Sequence, residues 1–331
     1  MAQVLLLSAT PADDRTEIFR APLQALLRSA ERDRFQVHRL TSDAAAAEII
    51  LFVESYGSGW HFERARAHPL TRRYREKCFM YCANPFVIPF LPGIYTGIER
   101  RRASRRTVTG FYLGQPGNEF VTFTPPTAEL PYLYSFVGSV HNALVRQRLA
   151  NILHPRGLFV DTSANWTRVL KQRLTDSERR DFYRHYADAT KASKFVLCPR
   201  GLSVSSIRLF ETMQMGRAPV ILSDNWIAPP GPDYEKFAIR VREKDCGAIE
   251  QILAERENEA VAMGECARRE WLEWFSDEVA FHRIVEWCIG IRNHRRLPES
   301  LGRWRAYLQY TQPFHFKRLI RRKVAGFRKR F

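Results

Sequence analysis

Phe195 to Asp224 reads Phe-Val-Leu-Cys-Pro-Arg-Gly-Leu-Ser-Val-Ser-Ser-Ile-Arg-Leu-Phe-Glu-Thr-Met-Gln-Met-Gly-Arg-Ala-Pro-Val-Ile-Leu-Ser-Asp. An apolar run from Lys194 to Leu197 predicts a buried strand, and a Pro-Arg-Gly loop follows it. Ser203 or Ser205 caps a helix from Ser205 to Met215, Gly216 stops it, and Ala218 to Leu222 is the next strand. Strand, loop, helix and strand in that order make a parallel α/β unit, whose strand ends collect ligands. The free N–H groups and dipole at the start of the helix suit a phosphate. Gly201 lets backbone approach closely, and Arg200 and Arg208 offer planar paired donors to phosphate oxygens. Arg208 and Glu211 share a helix face. They read either as a diphosphate contact beside a ribose contact, or as a surface ion pair worth a few tenths of a kcal/mol. The loop is neither a Walker motif nor G-x-G-x-x-G.

The same alternation extends in both directions. Before it come a strand at Leu133 to Val137, a helix at Asn142 to Leu153, a strand at Gly157 to Val160 and a helix at Glu178 to Thr190; after it come a strand at Phe237 to Val241 and a helix at Ala248 to Arg256. An earlier series has strands at Val4 to Leu7, Phe35 to Leu40, Glu48 to Glu54 and Cys78 to Cys82, with helices at Ala21 to Arg32 and Leu70 to Lys77. Between the two series, Thr122 to Pro131 carries Pro125, Pro126 and Pro131 and reads as a linker. The expected division is a first α/β domain over 1–125, a linker over 126–132, a second domain over 133–290 and a basic helical tail over 291–331.

The helix-terminus stretch and its surroundings resemble the sugar-donor half of the exostosin-like glycosyltransferases. The resemblance rests on the Pro-Arg-Gly loop, the Ser-x-x-Arg-Leu-Phe-Glu helix, Gly-Arg-Ala-Pro-Val-Ile-Leu-Ser-Asp, and Phe-Ala-Ile-Arg-Val-Arg-Glu-Lys-Asp ending at Asp245. Tyr134 to Gly138 followed by Arg146, and Leu91-Pro-Gly-Ile-Tyr95, add to it. It covers Phe79 to Asp245, most specifically in its later part. It implies a GT-B architecture, two Rossmann-like domains facing across a cleft, with donor in the second and acceptor in the first. It also implies an inverting, metal-independent transfer from a nucleotide-diphosphate sugar, with a uridine diphosphate sugar as the family's usual donor. Carried onto matching positions, Arg146, Arg200 and Arg208 bind diphosphate, Ser205 and Ser206 meet its oxygens, and Glu211 meets ribose. Gly201, Ser203 and Asp224 complete the expected site. Asn84 stands where the related pattern often has an acid.

An inverting transfer needs a base for the acceptor hydroxyl and positive charge for the departing diphosphate. Arg208 serves the second need. Glu54, ending the strand Ile-Ile-Leu-Phe-Val-Glu, is the favoured base, with Asp13, Asp14, Asp161 and Asp224 as competitors. His61 and His141 read as structural histidines, and Trp60 and Trp166 as core aromatics before they read as sugar-stacking platforms.

Composition bounds the remaining choices. With 45% hydrophobic and 26% charged residues the chain is a folded one. The six cysteines are expected to be reduced, Cys78 and Cys82 lack a partner pair at zinc spacing, and no metal or other cofactor is expected. The opening apolar run is too short for a signal peptide and no run suits a membrane span, so a cytoplasmic protein is expected, peripheral on the inner face of a membrane at most. The net charge of +17 suggests nucleic acid, but thirteen basic residues against the single acid Glu299 put +12 of it between Ile291 and Phe331. No nucleic-acid reading module accompanies them. A basic nucleic-acid-binding protein, or a non-catalytic sugar-nucleotide binder of the same fold, remain the alternative functions. The acceptor is expected to be a glycan or lipid-linked hydroxyl in polysaccharide or glycoconjugate synthesis. The tail, with Phe316, Leu319, Ile320, Val324 and Phe327 near one side, reads as a helix lying on an anionic membrane, or as one packing across the two domains.

Overall fold

The computed structural model describes residues 1–11, 17–55, 62–85, 87–113, 117–152, 154–164, 174–302, 304–313, 315–317 and 319–321. Asp13, Asp14, Trp60, His61, Trp166 and residues 322–331 of the basic tail lie outside the described residues. Among those described, two all-parallel sheets organise the chain. The first holds β1 (Gln3–Leu7), β2 (Arg39–Leu40), β3 (Ile49–Glu54), β4 (Cys78–Cys82), β5 (Gly93–Tyr95) and β6 (Thr107–Thr109), in the order β2-β1-β3-β4-β5-β6. The second holds β7 (Tyr132–Gly138), β8 (Gly157–Asp161), β9 (Ser193–Pro199), β10 (Ala218–Leu222) and β11 (Ile239–Arg240), in the order β11-β10-β9-β7-β8.

Continuous apolar strands explain the parallel pairing: every residue of β3, β4 and β10 is buried, as strands covered on both faces must be. In each sheet the chain leaves its first strand toward one edge and later returns to the other side. The topological switch points therefore lie between β1 and β3, and between β7 and β9.

The covering helices are α1 (Glu17–Glu31), α2 (Glu63–Ala67), α3 (Pro69–Arg73), α4 (Leu144–Leu149), α5 (Asp176–Lys191), α6 (Ile207–Met215), α7 (Ile249–Glu255), α8 (Ala260–Trp274) and α9 (Ala280–Asn293). α5 opens with a capping box between Thr175 and Glu178, and α6 ends at Gly216 with φ 76°, the left-handed cap that the sequence predicts there. α8 packs on α6, β9 and β10, whereas α9 packs on α1, β5 and β6. The chain thus crosses back to the first sheet before residue 290, and the expected end of the second domain falls inside a helix that serves the first.

The two sheets meet at their C-terminal edges. Arg100 N–H, beyond β5, donates to Asn225 O beyond β10 at 3.0 Å. A Cβ on Gly97 would sit 2.8 Å from Ser203 Oγ across the same junction. Behind it, Phe111 lies 5.0 Å from Phe275, and Phe210 lies 5.1 Å from Phe275, so one aromatic cluster joins both domains. The linker is pinned by Arg217, which is fully buried and donates to Thr124 O, Lys191 O, Met215 O and Gly216 O.

Three local expectations differ from what is found. The strand from Phe35 shrinks to Arg39–Leu40, because Asp33 accepts from the N–H groups of Phe35 and Gln36 and turns the chain through Gln36 at φ 53°. The helix from Leu70 to Lys77 is broken at Tyr74, and the helix from Asn142 contracts to α4. β5 and β6 are additions; β5 depends on Gly93, where a Cβ would fall 1.9 Å from Met80 O.

Candidate functional site

The switch point of the second sheet brings together the ends of β7 and β9 and the start of α6. Arg146, on α4, is 5% exposed and holds this point closed: its Nη1 donates to Ser139 O at 2.9 Å, Nη2 to Pro199 O at 3.1 Å and Nε to Arg200 O at 2.8 Å. Burial and the neighbouring Arg208 lower its pKa to about 9. All three nitrogens are committed to backbone carbonyls. Three of its five N–H donors are spent in this way, so Arg146 shapes the loop from which Arg200 projects, and the expected diphosphate contact would fall to the two that remain.

Arg208 and Arg200 differ from it. Arg208 Nε donates to Val137 O at 2.8 Å, and its guanidinium lies over the Phe136 ring, 4.8 Å from the centroid. Gly138 makes room for it, since a Cβ there would lie 2.0 Å from Nη2. The Nε of Arg200 is buried without a hydrogen-bond partner. Ser206 occupies the N-cap of α6, yet its Oγ makes no capping bond and is likewise buried and unpartnered. The first N–H groups of any helix have no acceptor within it. Donors gathered at one helix end, with two arginines beside them, are an arrangement that can take an anion.

The other expected residues fall around this cluster. Ser203 Oγ accepts from Ser205 N–H at 3.3 Å, and Gly201 packs close to Arg146, with a Cβ there only 3.0 Å from Nη2. Tyr112, which the sequence does not single out, places its hydroxyl among those of Ser205, Thr96 and Ser203; burial pushes its pKa up. Glu211 accepts from Tyr186 Oη at 2.5 Å, and burial raises its pKa. Neither Arg208 nor Glu211 spends itself on the surface ion pair that their spacing allows. Asp224 stands apart: it and Glu243 exchange backbone-to-carboxylate hydrogen bonds of 3.0 and 3.2 Å. It lines a cavity of about 250 Å3 at the ends of β10 and β11, with Ser223, Arg240 and Arg242.

In the first sheet, Glu54 also ends at a switch point, between β1 and β3. It is fully buried and accepts from Ala9 N–H at 2.5 Å, Thr10 Oγ1 at 3.0 Å and Ser8 Oγ at 3.3 Å. Burial raises its pKa against the opposing pull of those donors. Among its competitors, Asp161 is held by Ser163 and by Val140 N–H; His141, expected to be structural, is exposed. A larger cavity of about 490 Å3 lies between α2, α3 and the C-terminal segment, lined by Arg66, Arg72, Arg75, Phe90 and Tyr307. It sits by the N-terminal edge of β5, on the far side of the sheet from the junction.

Parts of the chain are similar to known proteins. The exostosin-1 homolog of Caenorhabditis elegans is 39% identical over 70 residues, 20% of this chain and 18% of that one. Human ribitol-5-phosphate xylosyltransferase 1 is 30% identical over 93 residues, 28% of this chain and 20% of that one. The chain thus spans about a fifth of the length of these relatives. The solved structure of Acinetobacter baumannii MurG aligns over 87% of this chain and 99% of its own, with 12% identity and a TM-score of 0.41. Residues 123–255, which contain both the switch point and α6, match the Exostosin GT47 domain, so the resemblance carried by the Pro-Arg-Gly loop and its helix holds over this part of the chain.

Proposed function

We propose that the protein is a glycosyltransferase that takes its sugar from a nucleotide-diphosphate donor, bound with the diphosphate at the start of α6. The observation that carries this is the set of buried, unpartnered donors there, Arg200 Nε and Ser206 Oγ, beside Arg208 in a stretch of exostosin type. A diphosphate supplies acceptors for all of them, and the arginines offset the charge that grows on it as the sugar leaves. The 250 Å3 cavity beyond Ser223 is placed for part of the nucleoside, which would bring Asp224 into the site.

On this reading the reaction is inverting and uses no divalent ion, because arginine and helix N–H groups do the metal's work at the leaving group. The donor is a uridine diphosphate sugar, and the acceptor is a hydroxyl of a glycan or lipid-linked saccharide approaching from the first sheet. Glu54 is the base, its raised pKa favouring proton uptake, with the hydroxyls of Ser8 and Thr10 as its contacts toward the junction. The tail would hold the enzyme at an anionic membrane surface. Among the described residues no helix is long and apolar enough to cross a membrane, while Phe316 and Ile320 are exposed. Incubation with a panel of nucleotide sugars, with and without chelator, tests the reaction. Release of nucleoside diphosphate that is insensitive to chelator supports the reading, and release that requires added magnesium or manganese contradicts its mechanism.

A further inference from the structure

We propose that His38, His282 and Glu286 form a binding site for a divalent transition-metal ion of the zinc class, which clamps α9 onto the first sheet. Their candidate ligand atoms all lie within 4.8 Å of one another. His282 and Glu286 are one helical turn apart on α9, so their side chains leave the same face. His38 reaches them from the turn that precedes β2, 244 residues earlier in the chain.

The polar chemistry of this cluster is incomplete without a ligand. His38 is 6% exposed, and its Nδ1 and that of His282 are buried with no hydrogen-bond partner. His38 Nε2 meets only the Glu286 carboxylate, at 2.9 Å. The two imidazoles lie nearly parallel with centroids 5.1 Å apart, and Phe35 stacks on His282 at 4.1 Å, which fixes both rings. A pair of buried imidazoles with idle nitrogens is costly unless something accepts their lone pairs. Asp33 does not compete, because its two oxygens already accept from Phe35 and Gln36 N–H.

Two imidazoles and one carboxylate are a zinc donor set with a fourth position left for water. A tetrahedral ion needs ligand separations of about 3.4 Å, so small rotamer shifts close the site. The cluster lies at the N-terminal edge of the first sheet, opposite the edge where Glu54 ends β3. Its role is therefore structural and separate from sugar transfer: the ion would bridge the early turn and the late helix, beside the bond from Arg34 N–H in that turn to Glu278 O just before α9 at 3.0 Å.

The test is titration of the full-length, chelator-stripped protein with Zn2+ by calorimetry, and with Co2+ by visible absorption. One ion per chain, a higher Tm, and cobalt bands without a thiolate charge-transfer band are expected. Glu286→Gln, at an exposed position that the fold tolerates, and His282→Gln should each weaken binding at least about tenfold. Absence of saturable binding, unchanged affinity in both variants, or a thiolate band pointing to cysteine ligands would overturn the proposal.

Discussion

Arg146 Nε donates to the backbone carbonyl of Arg200 at 2.8 Å, so one arginine fixes the peptide from which a second one reaches. The division of labour between them has consequences that separate stability from binding. Arg146→Ala strands three buried carbonyls and should cost at least about 2 kcal/mol of stability. Arg146→Lys should recover little, because an ammonium cannot serve three carbonyls in a planar fan. Thermal unfolding checks this; an unchanged Tm in Arg146→Ala would return that residue to the ligand.

Gly138 is the space into which the Arg208 guanidinium fits. A methyl group there collides with Nη2 and must displace the arginine without removing its charge. Gly138→Ala is expected to weaken nucleotide binding about tenfold, one lost charge-assisted hydrogen bond, while leaving the Tm close to that of the parent. Equal affinity in a folded Gly138→Ala protein would show that the orientation of Arg208 does not matter.

Glu54 carries a pH signature. Its folded-state pKa is raised by burial, so its contribution to stability is greatest below the ordinary carboxylate range and is lost as pH rises through the raised value. If it takes the acceptor proton, turnover should fall as pH drops through that same raised value, and Glu54→Gln should abolish transfer while preserving nucleotide affinity. Rates and Tm measured from pH 4 to 8 separate the roles. Transfer that persists in Glu54→Gln, with only the Tm altered, would make the carboxylate a bracket for Ser8, Ala9 and Thr10.

The strand, loop and helix from Lys194 to Leu222 are legible in the sequence because their order, caps and apolar runs are local properties. So is the collection of Arg200, Ser206 and Arg208 at one helix end. What Arg146 does is not legible, since its acceptors are carbonyls 7, 53 and 54 residues away and carbonyls carry no residue type. The same holds for Glu211, whose partner Tyr186 comes from another helix, and for Glu54, whose place at a strand end is visible but whose burial depends on the loop after β1. β5 escapes notice because three residues around a glycine leave no periodic pattern. The expected second-domain boundary misses the crossover because α9 looks like any amphipathic helix until its partners are known.

The start of the tail is built into the first domain. Gln312 Oε1 accepts from Arg102 Nη2 at 3.0 Å and His315 is fully buried, whereas Phe316 and Ile320 are exposed. Deletion after Gln312 should therefore lower the Tm. Deletion after Lys317 should leave it unchanged and, on the membrane reading, abolish sedimentation with anionic liposomes at low salt, since each basic residue near such a surface is worth about 1 kcal/mol. Full-length protein that ignores these liposomes at low salt would remove the membrane from the account.

The most direct test of the donor cradle is calorimetric titration of uridine diphosphate into the parent protein and into Arg208→Ala. The account predicts one site per chain in the parent and a loss of at least about tenfold in affinity in the variant, the size of one charge-assisted hydrogen bond, with the Tm of the unliganded protein preserved. Arg208→Lys should recover only a small part of it. An Arg208→Ala protein that is folded and binds the nucleotide as tightly as the parent would contradict the assignment of the diphosphate to the start of α6.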